Sequence, residues 1–196
     1  DKDFLIPIVR TNLLKSKNPS VLIFVNTRND TKRIASFLSD HLCDEIEGLG
    51  QIPPPNSLTL SLRDELIHDL AKSAAGLDQT LKKCFLQGIG YHHAGLLLEE
   101  RRIVEKGIKN GALFVVVATT TLSAGVNIRS VSRVIIHSPY RLFNRKKILL
   151  PISLFAQMAG RSGRENGIPG DVVIISRNQI ETKEIFEHII KPLPSI

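Results

Sequence analysis

The chain has 196 residues, a length that fits one domain with a sizeable core rather than two full ones. Hydrophobic residues make up 42% and charged ones 23%, which excludes a disordered or collagen-like chain. Lys and Arg number 26 against 19 acidic residues, so the net charge of +7 suits phosphate contact without requiring it, and two cysteines exclude a disulfide-dense scaffold and a four-thiolate zinc site.

The opening DKDFLIPIVR reads as helix and is mixed in charge, with no small-residue cleavage site. No stretch approaches the roughly 18 consecutive apolar residues of a membrane helix. We therefore expect an intracellular domain without a membrane role. The start without Met suggests a fragment of a longer protein. VLIFV at 21–25 is the first of a series of short Val/Ile-rich runs; GIGYHH at 88–93, LFVVVA at 113–118, VIIH at 134–137 and VVII at 172–175 follow. Continuous apolar runs of this length fit strands buried on both faces, which is how parallel sheets read. Helical periodicity lies between them. Ile34, Phe37, Leu38 and Leu42 recur along 29–42, with Thr27 or Asn29 placed to cap. The region 43–87 interrupts the alternation with IPPP at 52–55 and two predicted helices near 61–73 and 77–87, so it reads as a helical insertion. Ile103, Val104 and Ile108 form a stripe along 97–110, and Asn110-Gly111 makes a stop. SPYRLFNRKKILLP at 138–151 reads as a second irregular excursion. Alternating strand and helix predict an α/β layered sheet.

The segment QMAGRSGR, 157–164, carries the most chemistry. On a continued helix Gln157, Arg161 and Arg164 fall within roughly 60° of one another, while Leu154, Phe155 and Met158 face the sheet. Two guanidiniums on one face suit a phosphate chain, because each is permanently charged and binds oxygens through two parallel hydrogen bonds. Gly160 and Gly163 would let another surface approach. A bare GRxGR serves equally well as a solvated basic turn. The strands VLIFV and VVVA run into Asn26-Thr27-Arg28 and Thr119-Thr120-Thr121, and the latter leads on to Gly125 and Asn127. Hydroxyls and free N–H groups at such strand ends lie where open α/β sheets bind ligands, although each taken singly reads as a helix cap.

FVNTR, HHAGLLLEERRIVEKGIKNG, ATTTLSAGVN and QMAGRSGR, in this order, resemble motifs of the second RecA-like lobe of superfamily 2 DExH helicases. The likeness runs from about residue 20 to 176. Within that superfamily the chain is most similar to the helicases of the polymerase-theta type, through AAGLDQTLKKCFLQGIGYHHAGL at 74–96 and the tail IIKPLPSI. The resemblance implies a RecA-like, mostly parallel sheet flanked by helices, spanning 1–196 with the insertion at 43–87. It implies a lobe of an ATP-dependent DNA helicase acting in the nucleus in DNA repair. Arg164 would then be the arginine finger on the γ-phosphate of ATP, Arg161 its support, and Gln157 the coupling residue. Gly125 and Asn127 would sit at the nucleotide edge of the cleft. Thr27, Arg28, Gly95, Thr119 and Thr120 would contact phosphates of single-stranded or partly duplex DNA. Two departures stand out: Ser162 replaces the usual Ala, and NIRSVSR at 127–133 leaves contacts of Arg129 and Arg133 open.

No GxxxxGK[ST] loop and no DExH-type acidic box occurs in the chain. ATP therefore has half a site here, and the other half, which would hold most of the Mg²⁺, falls to an N-terminal RecA-like lobe of the same protein. This fragment alone is expected not to hydrolyse ATP. An RNA helicase lobe and a non-catalytic nucleic-acid-binding module are the alternatives, since phosphate contacts do not separate DNA from RNA. Elsewhere, His92 and His93 should point to opposite faces of a strand, with no metal site. Cys84 should be buried and inert. Glu99-Glu100-Arg101-Arg102 reads as a solvated face with local ion pairs. The cluster Arg141–Lys147 reads as a solvated loop rather than a DNA contact, and its Phe143 either stacks on a base or is buried.

Overall fold

A computed structural model describes residues 2–15, 19–44, 48, 50–123, 131–163 and 170–190. Helix α1 (Lys2–Lys15) leads into β1 (Val21–Val25) and α2 (Arg28–His41), followed by α3 (Ser57–Lys72) and α4 (Gln79–Leu86). Next come β2 (Ile89–His92), α5 (Leu98–Lys109), β3 (Val115–Thr119) with a 3-10 turn at Thr120–Ser123, and β4 (Arg133–Ile136). The hairpin strands β5 (Tyr140–Phe143) and β6 (Lys146–Leu149), then α6 (Ile152–Ala159), β7 (Asp171–Ile174) and α7 (Gln179–Ile190), complete the series.

Five strands form one all-parallel sheet in the order β2-β3-β1-β4-β7. β1 and β3 are buried at every position, as unbroken apolar runs require. Val21 pairs with Val115 on one side and Arg133 on the other, so all the strand starts share one border and all the strand ends the other. The α/β class and the five strands agree with the sequence reading.

Helices α3 and α4 belong to the main core through buried Leu66, Leu70, Leu81, Cys84 and Phe85. α4 packs against β2 and α2, and α3 against α4 and α5, so the pair is built onto the sheet rather than standing apart from it. Arg63 of α3 is 5% exposed; its Nε donates to the Ala112 carbonyl at 3.1 Å and its NH1 to the Leu86 carbonyl at 2.8 Å. Its guanidinium also lies 5.4 Å from the Phe114 ring centroid. α3 starts four residues earlier than its apolar spacing suggests, because Asn56 Oδ1 accepts from the Thr59 N–H at 2.8 Å and caps it.

Two expectations need correction. Residues 138–151 are not an irregular excursion: Tyr140 pairs with Leu149 and Phe143 with Lys146 in an antiparallel hairpin. Asn144 and Arg145, at φ 49° and 61°, make the tight turn. Most of the hairpin is exposed on both faces, so no apolar alternation marks it in the sequence. The predicted continuation of α6 through Arg164 also fails. The helix stops at Ala159, Gly160 caps it, and Arg161 already lies in a turn.

Removing the Arg63 side chain would take the donor from the buried Ala112 carbonyl and from the part-buried Leu86 carbonyl, and would empty a buried site. Urea denaturation of Arg63→Ala should show a loss of about 2–3 kcal/mol, and a loss below about 0.5 kcal/mol would mean that the α3 anchor lies elsewhere.

Candidate nucleotide and nucleic-acid sites

The carboxyl border of the sheet gathers the ends of β1, β2 and β3. The Val25–Thr119 register sets Asn26 and Thr27 beside Thr119 and Thr120. Thr27 is the N-cap of α2: its Oγ1 accepts from the Asp30 N–H at 3.0 Å and donates to Asp30 Oδ2 at 2.7 Å. Arg28 opens the helix and leans on the β2 end. A Cβ at Gly95 would stand 3.0 Å from an Arg28 guanidinium nitrogen and 3.1 Å from His93 Nδ1, so a larger residue here would crowd Arg28 and shift its guanidinium. The Gly95 N–H donates to His93 Nδ1 at 3.1 Å. Thr27, Arg28, Gly95, Thr119 and Thr120 are thus brought together, with Thr119 7% exposed and Thr27 and Arg28 exposed.

Charge on this border comes from arginine and lysine rather than histidine. Burial, then the neighbouring Arg28, holds the His93 imidazole below its ordinary value. Burial does the same to His137, at the end of β4, against the opposing pull of Asp30. Asp30 itself sits below the usual Asp value; burial works to raise it, and hydrogen bonds from Thr27 and Arg33 outweigh that.

The second group of residues sits at the opposite border. α6 runs back across the sheet, with Phe155 and Met158 buried and Gln157 exposed. Beyond its end, the Val131 N–H donates to the Arg161 carbonyl at 2.9 Å, the Gly163 N–H donates to the Val131 carbonyl at 3.1 Å, and Val131 bridges Ser162. These residues adjoin the start of β4. A five-residue strand, about 16 Å long, therefore separates Arg161 from the Thr27–Gly95 group. Gly163 takes φ 70°, a left-handed conformation that favours glycine. A Cβ on the facing Gly170 would fall 2.2 Å from Ser162 Oγ and 2.3 Å from the Gly163 nitrogen. Ser162 uses the hydroxyl that an alanine would lack, donating to the Asp171 carbonyl at 3.2 Å. Arg133 is structural: its Nε donates to Asp171 Oδ1 at 2.8 Å and its NH1 to the Ile8 carbonyl at 2.7 Å. Arg164, Gly125, Asn127 and Arg129 lie outside the described residues.

Residues 57–166 match the family described as helicase conserved C-terminal domain. The chain belongs to that family. DNA polymerase theta of Mus musculus is 33% identical over 191 residues, covering 94% of this chain and 7% of the relative. The ATP-dependent DNA helicase Hel308 of Pyrobaculum calidifontis is 34% identical over 175 residues, 87% of this chain and 23% of that protein. The helicase POLQ-like protein of Caenorhabditis elegans is 40% identical over 119 residues, 60% and 12% respectively. This helicase domain thus spans less than a quarter of the length of these relatives.

Its remaining candidates resolve as follows. His92 is buried and pairs with Glu105 at 2.9 Å, while His93 stacks on Tyr91 on the other face, as strand alternation demands. Among the described residues no group of three His, Cys, Asp or Glu comes together to hold a metal. Burial pushes the Cys84 thiol up to about 11, which keeps it unreactive. Glu99 and Glu100 are not a free solvated face: Glu100 Oε2 accepts from the Leu97 N–H at 2.7 Å and Glu99 Oε2 from the Ala74 N–H at 3.0 Å. Phe143 is 56% exposed rather than buried. Sequence reasoning placed Asn26 at the end of β1 but missed His137 as part of the carboxyl border. The polar residue directly after each buried run was the available signal.

His92, His93 and His137 all sit below the ordinary imidazole value, with burial the largest cause in each. As pH falls, the unfolded chain takes up protons first, so the stability tied to these neutral rings is complete above about pH 6.5 and is lost below it, through the folded values. The urea midpoint should therefore drop between about pH 7 and pH 5, and His92→Gln should flatten that slope; a flat wild-type profile would contradict it.

Proposed function

We propose that this chain is the C-terminal motor lobe of an ATP-dependent DNA helicase of the polymerase-theta type. The carboxyl border would hold backbone phosphates of a single strand, or of the single-stranded part of a partial duplex, through Thr27, Arg28, Gly95, Thr119 and Thr120. Arg28 brings charge, and the N-terminus of α2 beside Thr27 adds its partial positive charge. Such contacts ignore sequence and weaken with salt. The exposed β5–β6 hairpin offers Phe143 for stacking on a base, with Arg141, Arg145 and Lys146 around it. The hairpin therefore reads as a nucleic-acid contact, in place of the solvated loop expected from its composition.

The ATP side would be met by Arg161 and Arg164, with Gly125 and Asn127 at the cleft edge and Gln157 coupling closure. Guanidiniums suit the charge that develops on a transferred γ-phosphate. The phosphate-cradling loop and the Mg²⁺ holder are assigned to the N-terminal RecA-like lobe of the same protein, since this chain carries neither motif. The fragment by itself should then be inactive. ATP bridging both lobes closes the cleft, hydrolysis reopens it, and the strand is moved between the two states. Placement in the nucleus and in DNA repair follows the polymerase-theta side of the resemblance.

The observation that supports this reading is the gathering of Thr27, Arg28, Gly95, Thr119 and Thr120 on one border of the sheet, with the Arg161 backbone beside Val131 at the other. Its test is Arg164→Ala in the full-length protein. DNA-stimulated ATP hydrolysis should fall by about 10³-fold or more, with single-strand affinity retained. Hydrolysis near the wild-type rate would remove Arg164 from the nucleotide site.

A further inference from the structure

The β5–β6 hairpin stands apart from the five-stranded sheet. Its tip carries Leu142, 80% exposed, beside Phe143. Between its base and the ends of β4 and β7 lies a pocket of about 100 Å³ lined by Asn26, His137, Ser138, Ile175 and Arg177 among others. Close packing on the sheet is interrupted on that side, where the hairpin base is tied to the sheet by Asn26 of β1 and to α7 by side chains.

Glu181, Glu184 and His188 recur at helix spacing and so share one face of α7. Glu181 Oε1 accepts from Lys147 Nζ at 2.6 Å, and its Oε2 accepts from the Arg177 N–H at 2.9 Å. The Tyr140 hydroxyl donates to Glu184 Oε2 at 3.0 Å. Lys147 Nζ lies 3.9 Å from the Tyr140 ring centroid, so these four side chains form one cluster across both hairpin strands. His188 Nε2 donates to the Leu150 carbonyl at 3.0 Å just after β6. Asn26, at the end of β1, donates to the Tyr140 carbonyl from behind. With Lys147 committed to Glu181, the basic residues left outward on the hairpin are Arg141, Arg145 and Lys146. Glu181 is only 16% exposed against 42% for Lys147, so its carboxylate is the fixed end of the pair.

We propose that Glu181, seconded by Glu184, is a positioning residue that sets the direction in which the hairpin presents Phe143 and its flanking cations to the nucleic-acid strand. The inference rests on the reading of the hairpin as a nucleic-acid contact. It makes α7 a mount of the hairpin beside the Asn26 tie to β1, so a displacement of α7 is passed to the hairpin through the Lys147–Glu181 ion pair and the Tyr140 hydroxyl. A structural salt bridge would act on stability alone. A mount acts on strand separation while leaving nucleotide turnover in place.

The experiment uses the full-length protein and a fluorescently labelled duplex with a single-stranded tail. Glu181→Lys sets like charges opposite each other; it should slow strand separation roughly tenfold, as a misplaced contact group does. ATP hydrolysis stimulated by single-stranded DNA should stay within about twofold. The exchange Lys147→Glu with Glu181→Lys restores the pair in reverse and should recover most of the separation rate. Phe143→Ala serves as the control for the underlying reading and should also slow separation. If Phe143→Ala is fully active, the hairpin reading falls and the mount with it. If Phe143→Ala is slow but Glu181→Lys is fully active, the positioning role alone is overturned. If Glu181→Lys melts early, the charge exchange decides, and a folded exchange variant that stays slow overturns the proposal.

Discussion

A strand buried on both faces has no place for a polar side chain along its length, and this constraint organises the molecule. β1 and β3 are apolar through to Val25 and Ala118 and buried throughout. Polar groups are thereby displaced to the two borders of the sheet. Because every strand of this sheet runs the same way, the borders differ chemically. One receives the residues that follow the strands: Asn26 to Arg28, His93 to Gly95, Thr120 and His137. The other receives those that precede or open them, including Ser20, Ser132 and Arg133. On that border Ser132 Oγ donates to Asn12 Oδ1 at 2.8 Å and ties α1 down, so much of its polarity is spent internally. The carboxyl border keeps Thr27 and Arg28 exposed instead.

α6 is what joins the two borders. It begins directly after the hairpin, capped by Pro151, and the turn beyond its end, Arg161 to Gly163, lies beside Val131. Phe155 and Met158 pin it to the core, while the Phe155 ring meets His188 of α7 edge-on at 6.2 Å. Under the proposed function, this helix carries the nucleotide-facing arginines at one end and the nucleic-acid-facing hairpin at the other. A rigid element with both ends engaged is a physical route for coupling, without any rearrangement inside the sheet.

The strands were legible because the apolar run is the direct signature of double burial; β1 falls at Val21–Val25 as read. Helix α2 and its Thr27 cap were legible for a related reason, since amphipathic spacing and capping are local. The hairpin was not, because Leu142 and Phe143 are exposed and no buried face imposes alternation. α7 escaped for a related cause: Ile180, Phe186 and Ile190 are exposed, and only Ile185 and the partly buried Ile189 face the core, so the inward stripe is short and lost among outward apolar residues. The end of α6 was misplaced because Gly160 and the backbone pairing of Arg161 and Gly163 with Val131 depend on a partner some 30 residues earlier in the chain. Among the site residues, type and motif order indicated Thr27, Arg28, Gly95, Thr119 and Thr120. Their gathering on one border, about a strand's length from Arg161, is a product of topology.

The central claim is that one sheet presents two separate phosphate sites. Its most direct test is a pair of affinities, for single-stranded DNA and for a non-hydrolysable ATP analogue, measured on Arg28→Ala and Arg161→Ala in the full-length protein. The account predicts that Arg28→Ala weakens DNA binding and leaves analogue binding unchanged, and that Arg161→Ala does the reverse. Loss of both affinities in both folded variants would contradict it.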